Sequence, residues 1–324
     1  MMRLSMIAVV ATLVTSAPAA AQSWPTRPLS MVVPFGAGGA TDVMARALAP
    51  RLSELLGQQM IIENVTGAGG MSGVARVVKA PPDGYELALG NAGTQAISQT
   101  LYKQPLYNSV ADLVPVGMVA QSFFALITRR DLPAATLPEF IAYARANHAK
   151  MQYASAGVGS TSHMMCVLLN IAMGTDITHV PYRSTTIAMP DMMAGRIDFI
   201  CDAVETAAPH VQANTVKAIA VLAPSRSAVL PDLATATEQG VANLAASGWY
   251  GLFFPKGTPD AIARRLSGAA SAALDTPAVR ARIEGLGINM IPPEQRTPEF
   301  LAAFLPAEIK KWAVPIRASG VSID

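Results

Sequence analysis

The chain has 324 residues, of which 51% are hydrophobic and 14% are charged, and its formal net charge at pH 7 is +2. This length and apolar content allow two buried cores of ordinary domain size. The lysine and arginine side chains are few and scattered, so the composition excludes the basic surface that a nucleic-acid-binding protein requires.

The first 21 residues have the three parts of a secretory signal peptide. Arg3 gives a positive start, residues 6–14 form a short apolar run, and Ala19-Ala20-Ala21 supplies small residues at the end. The run is shorter than the ~20 residues that a membrane-spanning helix needs. We therefore expect cleavage after Ala21 and a soluble mature chain in the periplasm.

Short apolar segments alternate with segments of helical periodicity through most of the remaining chain. The apolar segments predict strands over residues 29–35, 60–65, 85–89, 151–156, 178–182, 197–201, 217–222 and 249–254. The periodic segments predict helices over residues 41–56, 71–79, 137–147, 162–172, 187–194, 260–274, 277–286 and 298–318. Strands separated by helices predict an α/β fold with parallel-rich sheets and right-handed crossovers.

The last third of the sequence has helices but too few strands to form a sheet of its own. We therefore expect these helices to pack on the first lobe. This assigns residues 24–122 and 246–324 to a discontinuous lobe 1 and residues 123–245 to lobe 2. The chain then crosses between the lobes twice, near 120–124 and 245–251, and the two crossings form a hinge.

Cysteine and histidine positions bear on disulfide and metal chemistry. Cys166 and Cys201 leave two interpretations open, a disulfide in an oxidising compartment or two buried thiols. The four histidines share no ligand spacing with each other or with the cysteines, so no metal site is predicted.

Three glycine-rich stretches, residues 34–42, 67–70 and 155–163, stand where predicted strands end and helices begin. Glycine allows close backbone approach, and a helix N-terminus offers unpaired N–H groups with a partial positive charge. Together they predict an anion site that needs no lysine or arginine. None of the stretches matches a P-loop or G-x-G-x-x-G, so we expect no nucleotide cofactor. A plain tight turn is the alternative for any one of them.

An ordered set of motifs extends along the mature chain. They are W-P-x-R-P at 24–28, V-P-F-G-A-G-G-A-T-D at 33–42, P-D-G-Y at 82–85, S-A-G-V-G at 155–159, His163, H-V-P-Y-R at 179–183, G-R-I-D at 195–198 and E-I-K-K-W at 308–312. The set resembles the Bug family, the TctC-type substrate-binding proteins of tripartite tricarboxylate transporters. The resemblance implies a monomeric, two-lobed periplasmic-binding-protein fold (type II-like, Venus flytrap) that holds a carboxylate between its lobes, performs no covalent chemistry and uses no cofactor. The implied partners are the membrane subunits of the transporter.

Carried over by motif, the resemblance implies backbone donors from residues 38–41 and 159–161. Asp42 either caps its helix or orders water in the cleft, or is only a favourable acidic residue in a first turn. His163 either reaches the ligand or is structural. Asp202 either receives a ligand amino group or water, or is a turn residue. Ser184 stands where the family usually has glycine, which narrows the pocket or adds a hydroxyl, and Gln95 stands where histidine is common. The candidate ligand-binding residues are Phe35, Gly38, Gly39, Ala40, Thr41, Asp42, Gly69, Ser155, Gly157, Gly159, Ser160, Thr161, His163, Tyr182, Ser184 and Asp202.

Two other functions compete with transport. Ser160, His163 and Asp202 could be assembled into a hydrolase triad on paper, although no G-x-S-x-G motif is present. A ligand-sensing protein that presents the carboxylate to a signalling partner, such as a sensor ectodomain, would share the same two-lobed clamp.

Overall fold

The computed structural model describes residues 24–241, 244 and 247–323. The predicted signal peptide lies outside the described residues. In the described ranges, no helix combines the length and the apolar character that crossing a membrane requires.

The secondary structure alternates between strands and helices as expected. The strands are β1 (Leu29–Val33), β2 (Met60–Asn64), β3 (Glu86–Asn91), β4 (Leu113–Ser122), β5 (Phe124–Arg129), β6 (Gln152–Ser155), β7 (Thr178–Pro181), β8 (Phe199–Ala203), β9 (Val216–Val221) and β10 (Gly248–Pro255). The helices are α1 (Ala40–Leu56), α2 (Met71–Val78), α3 (Ser98–Leu101), α4 (Leu137–Asn147), α5 (Thr161–Met173), α6 (Thr185–Met193), α7 (Val204–Gln212), α8 (Asp260–Asp275), α9 (Pro277–Gly285) and α10 (Pro298–Ser319).

The strands form two five-stranded mixed sheets, which confirms the α/β prediction. The first sheet has the order β2-β1-β3-β10-β4, with β1 parallel to β2 and β3 and with β10 antiparallel to β3 and β4. The second has the order β7-β6-β8-β5-β9, with β6 parallel to β7 and β8 and with β5 antiparallel to β8 and β9. Parallel pairing therefore holds for three strands in each sheet.

Four elements were missing from the sequence prediction: β4, β5, α3 and α7. Pro115 and Gly117 interrupt the apolar pattern of β4. Because β4 is an edge strand, a proline can be accommodated there without breaking the interior ladder. In α7, Pro209 hides the helical pattern. In both segments, residues that disfavour the local structure are accommodated because of the position of the segment in the fold.

Helix ends follow the local sequence closely. Gly57 ends α1 in the left-handed conformation at φ 69°, where a side chain would be strained. Thr136 and Glu139 form a capping box at the start of α4, in which each side chain accepts a hydrogen bond from the other's backbone N–H. These signals explain why the predicted boundaries of α1 and α4 agree with the structure.

The last three helices pack against the first sheet. Residues of α1, α8 and α9 share one buried cluster with the sheet, including Leu48, Leu252, Phe254, Leu266 and Ile283. Helix α10 contacts β4 and contributes Trp312 to a second cluster, which continues into the second sheet through Tyr153 and Phe199.

The two cysteines are free and buried, which leaves the thiol interpretation in place of the disulfide. The backbone N–H of Cys201 donates a hydrogen bond to Sγ of Cys166 over 3.1 Å. Burial raises the pKa of the Cys201 thiol, so it stays protonated.

A buried carboxylate joins the two sheets at the point where the chain passes between them. Ser122 Oγ donates to both oxygens of Glu205 over 2.8 and 2.7 Å, and the Tyr250 hydroxyl donates to Oε1 over 2.5 Å. Ser122 ends β4 and Tyr250 lies in β10, whereas Glu205 is in the first turn of α7 beside the second sheet. Burial raises the pKa of Glu205 to about 7, against the hydrogen bonds it accepts.

Glu205→Gln isolates this titration. Between the ordinary pKa of 4.5 and the folded value of about 7, the native state keeps a proton that the unfolded chain has lost, so wild-type stability falls as pH rises through this window. The shift corresponds to about 3 kcal/mol. We expect the unfolding free energy of the variant, relative to wild type, to rise by up to about 3 kcal/mol between pH 4.5 and 8 in urea titrations. A difference that stays constant with pH would contradict the assignment.

Candidate ligand-binding site

A cavity lies between the carboxyl edges of the parallel strands in the two sheets. About 480 Å³ of its space is free of protein atoms, and part of this space is open solvent. The lining residues are Phe35, Gly39, Ala40, Thr41, Asn91, Ser122, Phe124, Ala156, Ser160, Thr161, Ser162, Ser184, Thr185, Asp202, Ala203, Gly248, Trp249 and Tyr250. Both sheets therefore contribute to one cavity.

The first sheet contributes the N-terminus of α1. Its N-cap is Gly39, which has no side chain to satisfy the first turn. The backbone N–H groups of Ala40 and Thr41 have no acceptor in the described part of the chain. Asn91 Nδ2 donates to Thr41 Oγ1 over 3.2 Å, which leaves the Thr41 hydroxyl hydrogen free to donate.

The second sheet contributes the N-termini of α5, α6 and α7. Ser160 and Ser184 cap α5 and α6, and their hydroxyls accept from the backbone N–H groups three residues later, over 3.3 and 3.4 Å. The N–H groups of Thr161 and Thr185 donate to no acceptor among the described residues. Ala203, the N-cap of α7, also lines the cavity.

Four helix N-termini therefore meet at one cavity. Each helix directly follows a parallel strand, in the pairs β1–α1, β6–α5, β7–α6 and β8–α7, and the carboxyl ends of such strands are where ligands bind in α/β sheets. Of the described residues, no lysine, arginine or histidine lines the cavity. Unpaired N–H groups and helix dipoles supply its positive potential, which suits an anion.

Asp42 holds the first glycine-rich stretch in place from the side that faces away from the cavity lining. Its Oδ2 accepts from Gly38 N–H and Arg46 Nε, each over 2.8 Å, and its Oδ1 accepts from Asn64 Nδ2 over 2.9 Å. Burial pushes the pKa of Asp42 upward, but the hydrogen bonds outweigh it and keep the pKa below its ordinary value. Asp42 is therefore an ionised support of the loop and does not line the cavity.

Two neighbouring histidines, whose rings are tilted by 30° to each other, support the third glycine-rich stretch. His163 Nδ1 accepts from Gly159 N–H over 3.2 Å, and His179 Nε2 is 2.6 Å from Ser155 Oγ, which also accepts from Gly157 N–H. The two imidazole rings are 4.3 Å apart. Burial lowers the pKa of His163 to about 3 and that of His179 to about 4, so both are neutral supports of the loop.

Ser160, His163 and Asp202, the candidate hydrolase triad, do not form the contacts of a catalytic triad. Ser160 Oγ interacts with the backbone N–H of His163 and not with its ring, whose Nδ1 is occupied by Gly159. Asp202 Oδ1 accepts from Ala203 N–H and the Thr206 hydroxyl. The nucleophile–base and base–carboxylate contacts of a hydrolase are thus missing in the described residues.

The outer rim of the cleft is closed by direct contacts between the two sides. Gly36 N–H donates to Arg183 O over 3.0 Å, and the Thr186 hydroxyl donates to Gly38 O over 2.9 Å. The second glycine-rich stretch takes part, because a Cβ on Gly69 would be 2.1 Å from the carbonyl oxygen of Val158. Glycine is required there for the two sides to approach.

The structure brings half of the predicted site residues to the cavity. Those that line it are Phe35, Gly39, Ala40, Thr41, Ser160, Thr161, Ser184 and Asp202. Those that do not line it are Gly38, Asp42, Gly69, Ser155, Gly157, Gly159, His163 and Tyr182. Gly69, Gly157 and Tyr182 line a second opening beside the closed rim, where the Tyr182 hydroxyl donates to Asp191 over 2.5 Å.

Sequence reasoning missed most of the cavity floor. The missed residues are Asn91, Ser122, Phe124, Ala156, Ser162, Thr185, Ala203, Gly248, Trp249 and Tyr250. Half of them lie in the segments 120–124 and 245–251, which the sequence analysis assigned to the hinge. Segments that pass between two lobes run along the base of the cleft. The hinge assignment could therefore have been used to predict these five lining residues.

Gly39 is the position where a side chain would block the cavity with little backbone strain. Its φ is −73°, and an added Cβ would be 3.1 Å from both Ser184 Cβ and Gly36 O. We expect Gly39→Val to weaken ligand binding by more than about tenfold, since it separates the donor groups of α1 and α6, while thermal unfolding stays cooperative.

The matched control is Gly268→Val in α8, where an added Cβ meets nothing within 4 Å. Calorimetric titration of both variants with the same acid checks the prediction. Unchanged affinity in Gly39→Val would show that the α1 terminus does not contact the ligand.

Comparison with known proteins links this geometry to a family. A family model described as the tripartite tricarboxylate transporter family receptor, TctC, matches residues 44–321. The match covers every strand except β1, and it covers the cavity lining apart from Phe35, Gly39, Ala40 and Thr41.

Solved structures share the fold over nearly the whole chain. The periplasmic binding protein BugD is 35% identical, with a TM-score of 0.89 and coverage of 92% of this chain and 99% of its own. MatC from Rhodopseudomonas palustris, solved with bound malate, is 37% identical, with a TM-score of 0.88 and coverage of 90% and 100%. A second R. palustris protein, solved with adipate, is 30% identical, with a TM-score of 0.87 and coverage of 92% and 99%. These matches confirm the periplasmic-binding-protein fold.

Proposed function

Because the chain belongs to the TctC family of tripartite tricarboxylate transporter receptors, we propose that it captures a small organic carboxylate in the cavity between its sheets and delivers it to the membrane subunits of a transporter. The family consists of binding proteins and not of enzymes. The observation that carries the proposal is the meeting of four helix N-termini at one cavity, to which the described residues contribute no basic side chain.

The ligand class follows from the chemistry of the lining. Unpaired N–H groups and threonine hydroxyls donate to anionic oxygens, and a carboxylate offers two such oxygens in a plane. Phe35, Phe124 and Trp249 provide apolar wall for a carbon skeleton. A di- or tricarboxylate, an aromatic acid or an acidic amino acid fits this lining. The relatives solved with malate and adipate support a carboxylate.

Ligand capture would occur by closure of two lobes. We assign residues 24–122 and 246–324 to lobe 1 and residues 123–245 to lobe 2, since β1–β4 and β10 share one sheet and β5–β9 share the other. The donors of α1 belong to lobe 1 and those of α5, α6 and α7 to lobe 2, so only a closed form lets both groups reach one ligand. The ligand then shifts the population toward the closed form.

The closed form would be the one that the transporter recognises, because its rim is built from both lobes. Export through the predicted signal peptide places the protein in the periplasm, and the name of the BugD relative as a periplasmic binding protein supports this location. We infer a monomer that meets the membrane subunits with its rim.

Calorimetry against a panel of carboxylates tests the function. The panel contains succinate, malate, aspartate, adipate, citrate and phenylacetate. We expect micromolar or tighter binding of at least one acid, and binding of its amide to be weaker by at least about tenfold, because the amide lacks the charge that the N–H groups stabilise. Equal binding of acid and amide, or binding of no acid, would refute the proposal.

A further inference from the structure

One side chain in the cavity has the opposite polarity to the helix N-termini. Asp202 is the second-last residue of β8, next to the α7 N-cap Ala203; it is 1% exposed and lines the cavity. Its Oδ1 accepts from Ala203 N–H and from the Thr206 hydroxyl, each over 2.9 Å. Its Oδ2 makes no hydrogen bond within the part of the chain that the structure describes, although the Thr185 hydroxyl lies close enough to the carboxyl to lower its pKa.

An unpaired buried carboxylate oxygen is unusual and costly. Burial of such an oxygen without a donor forfeits its hydration, and most buried polar atoms in folded proteins are paired. Oδ1 is held by the start of α7, so the side chain cannot turn Oδ2 away without losing two hydrogen bonds. A donor on a ligand in the cavity would give Oδ2 the hydrogen bond that it lacks.

Resting on the proposed function, we propose that the natural ligand is a carboxylate that also carries a hydroxyl or ammonium group, and that this group donates a hydrogen bond to Oδ2 of Asp202. The helix N-termini bind the ligand's carboxylate, and Asp202 selects for the donor. A ligand with carboxylates alone would leave Oδ2 unpaired and bring like charges together.

The surroundings of Asp202 favour this division of roles. The titratable groups near it are Glu205 on α7, Tyr250 on β10 and Cys201 on β8, and none of them is a cation. Burial raises the pKa of Asp202 to about 6, so above that pH the group is an acceptor that repels a second carboxylate.

The test compares ligands that differ only in the donor. The series are succinate, malate and aspartate; glutarate, 2-hydroxyglutarate and glutamate; and phenylacetate, mandelate and phenylglycine. Affinities are measured by calorimetry at pH 8 with the mature protein. In the series that binds most tightly, we expect the hydroxyl or ammonium member to bind at least about tenfold more tightly than the unsubstituted acid. The second and third members of each series distinguish a hydroxyl from an ammonium donor.

Asp202→Asn keeps an oxygen for Ala203 and Thr206 and replaces Oδ2 with a donor. We expect the variant to lose the preference, with the members of the series within about threefold of each other, because the amide no longer repels a carboxylate and no longer accepts from the donor. Asp232→Asn makes the same change at an exposed carboxyl that does not line the cavity, and it should keep the wild-type ratio.

Two results would overturn the inference and leave the proposed function intact. One is wild-type protein that binds the unsubstituted acid as tightly as its substituted partners. The other is a preference that survives in Asp202→Asn. Failure of every acid in the three series and the panel would instead refute carboxylate binding itself.

Discussion

Unpaired N–H groups at helix N-termini are the constraint around which this protein is organised. A helix leaves its first N–H groups without internal acceptors, and here α1, α5 and α6 present unpaired N–H groups to one enclosed space, beside the N-terminus of α7. The alternation of parallel strand and helix produces this arrangement, since every helix that follows a parallel strand begins at the same edge of its sheet. With the two edges facing each other, helix N-termini make the cavity positive, and none of its lining residues that the structure describes is basic.

The groups behind the cavity keep the loops in position without competing for the ligand. Asp42 is ionised, but its oxygens are occupied by Gly38, Arg46 and Asn64. His163 and His179 are neutral because burial holds the pKa of each well below its ordinary value. Glu205 connects Ser122 and Tyr250, two lining residues of the first sheet, to the start of α7. Because the loops that carry the donors are already held in position, binding a ligand costs less conformational entropy.

The sequence predicts the parts of the site that depend on local structure and misses those that depend on distant pairing. Glycine-to-helix junctions such as Gly39–Ala40 and Ser160–Thr161 are visible because glycine, serine and helical periodicity are local signals. The position of Tyr250 is not visible, since it depends on antiparallel pairing with Ala120, far away in the chain. The supporting role of His163 in α5 is not visible in the sequence either, because it depends on packing against His179 of β7.

A crystal structure of the protein with its tightest-binding acid tests the central claim most directly. The account predicts carboxylate oxygens within about 2.7–3.2 Å of the backbone nitrogen of Thr41 on one side and of Thr161 or Thr185 on the other. An acid bound outside the cavity, or one whose carboxylate is held by side chains while these backbone N–H groups bind water, would contradict it.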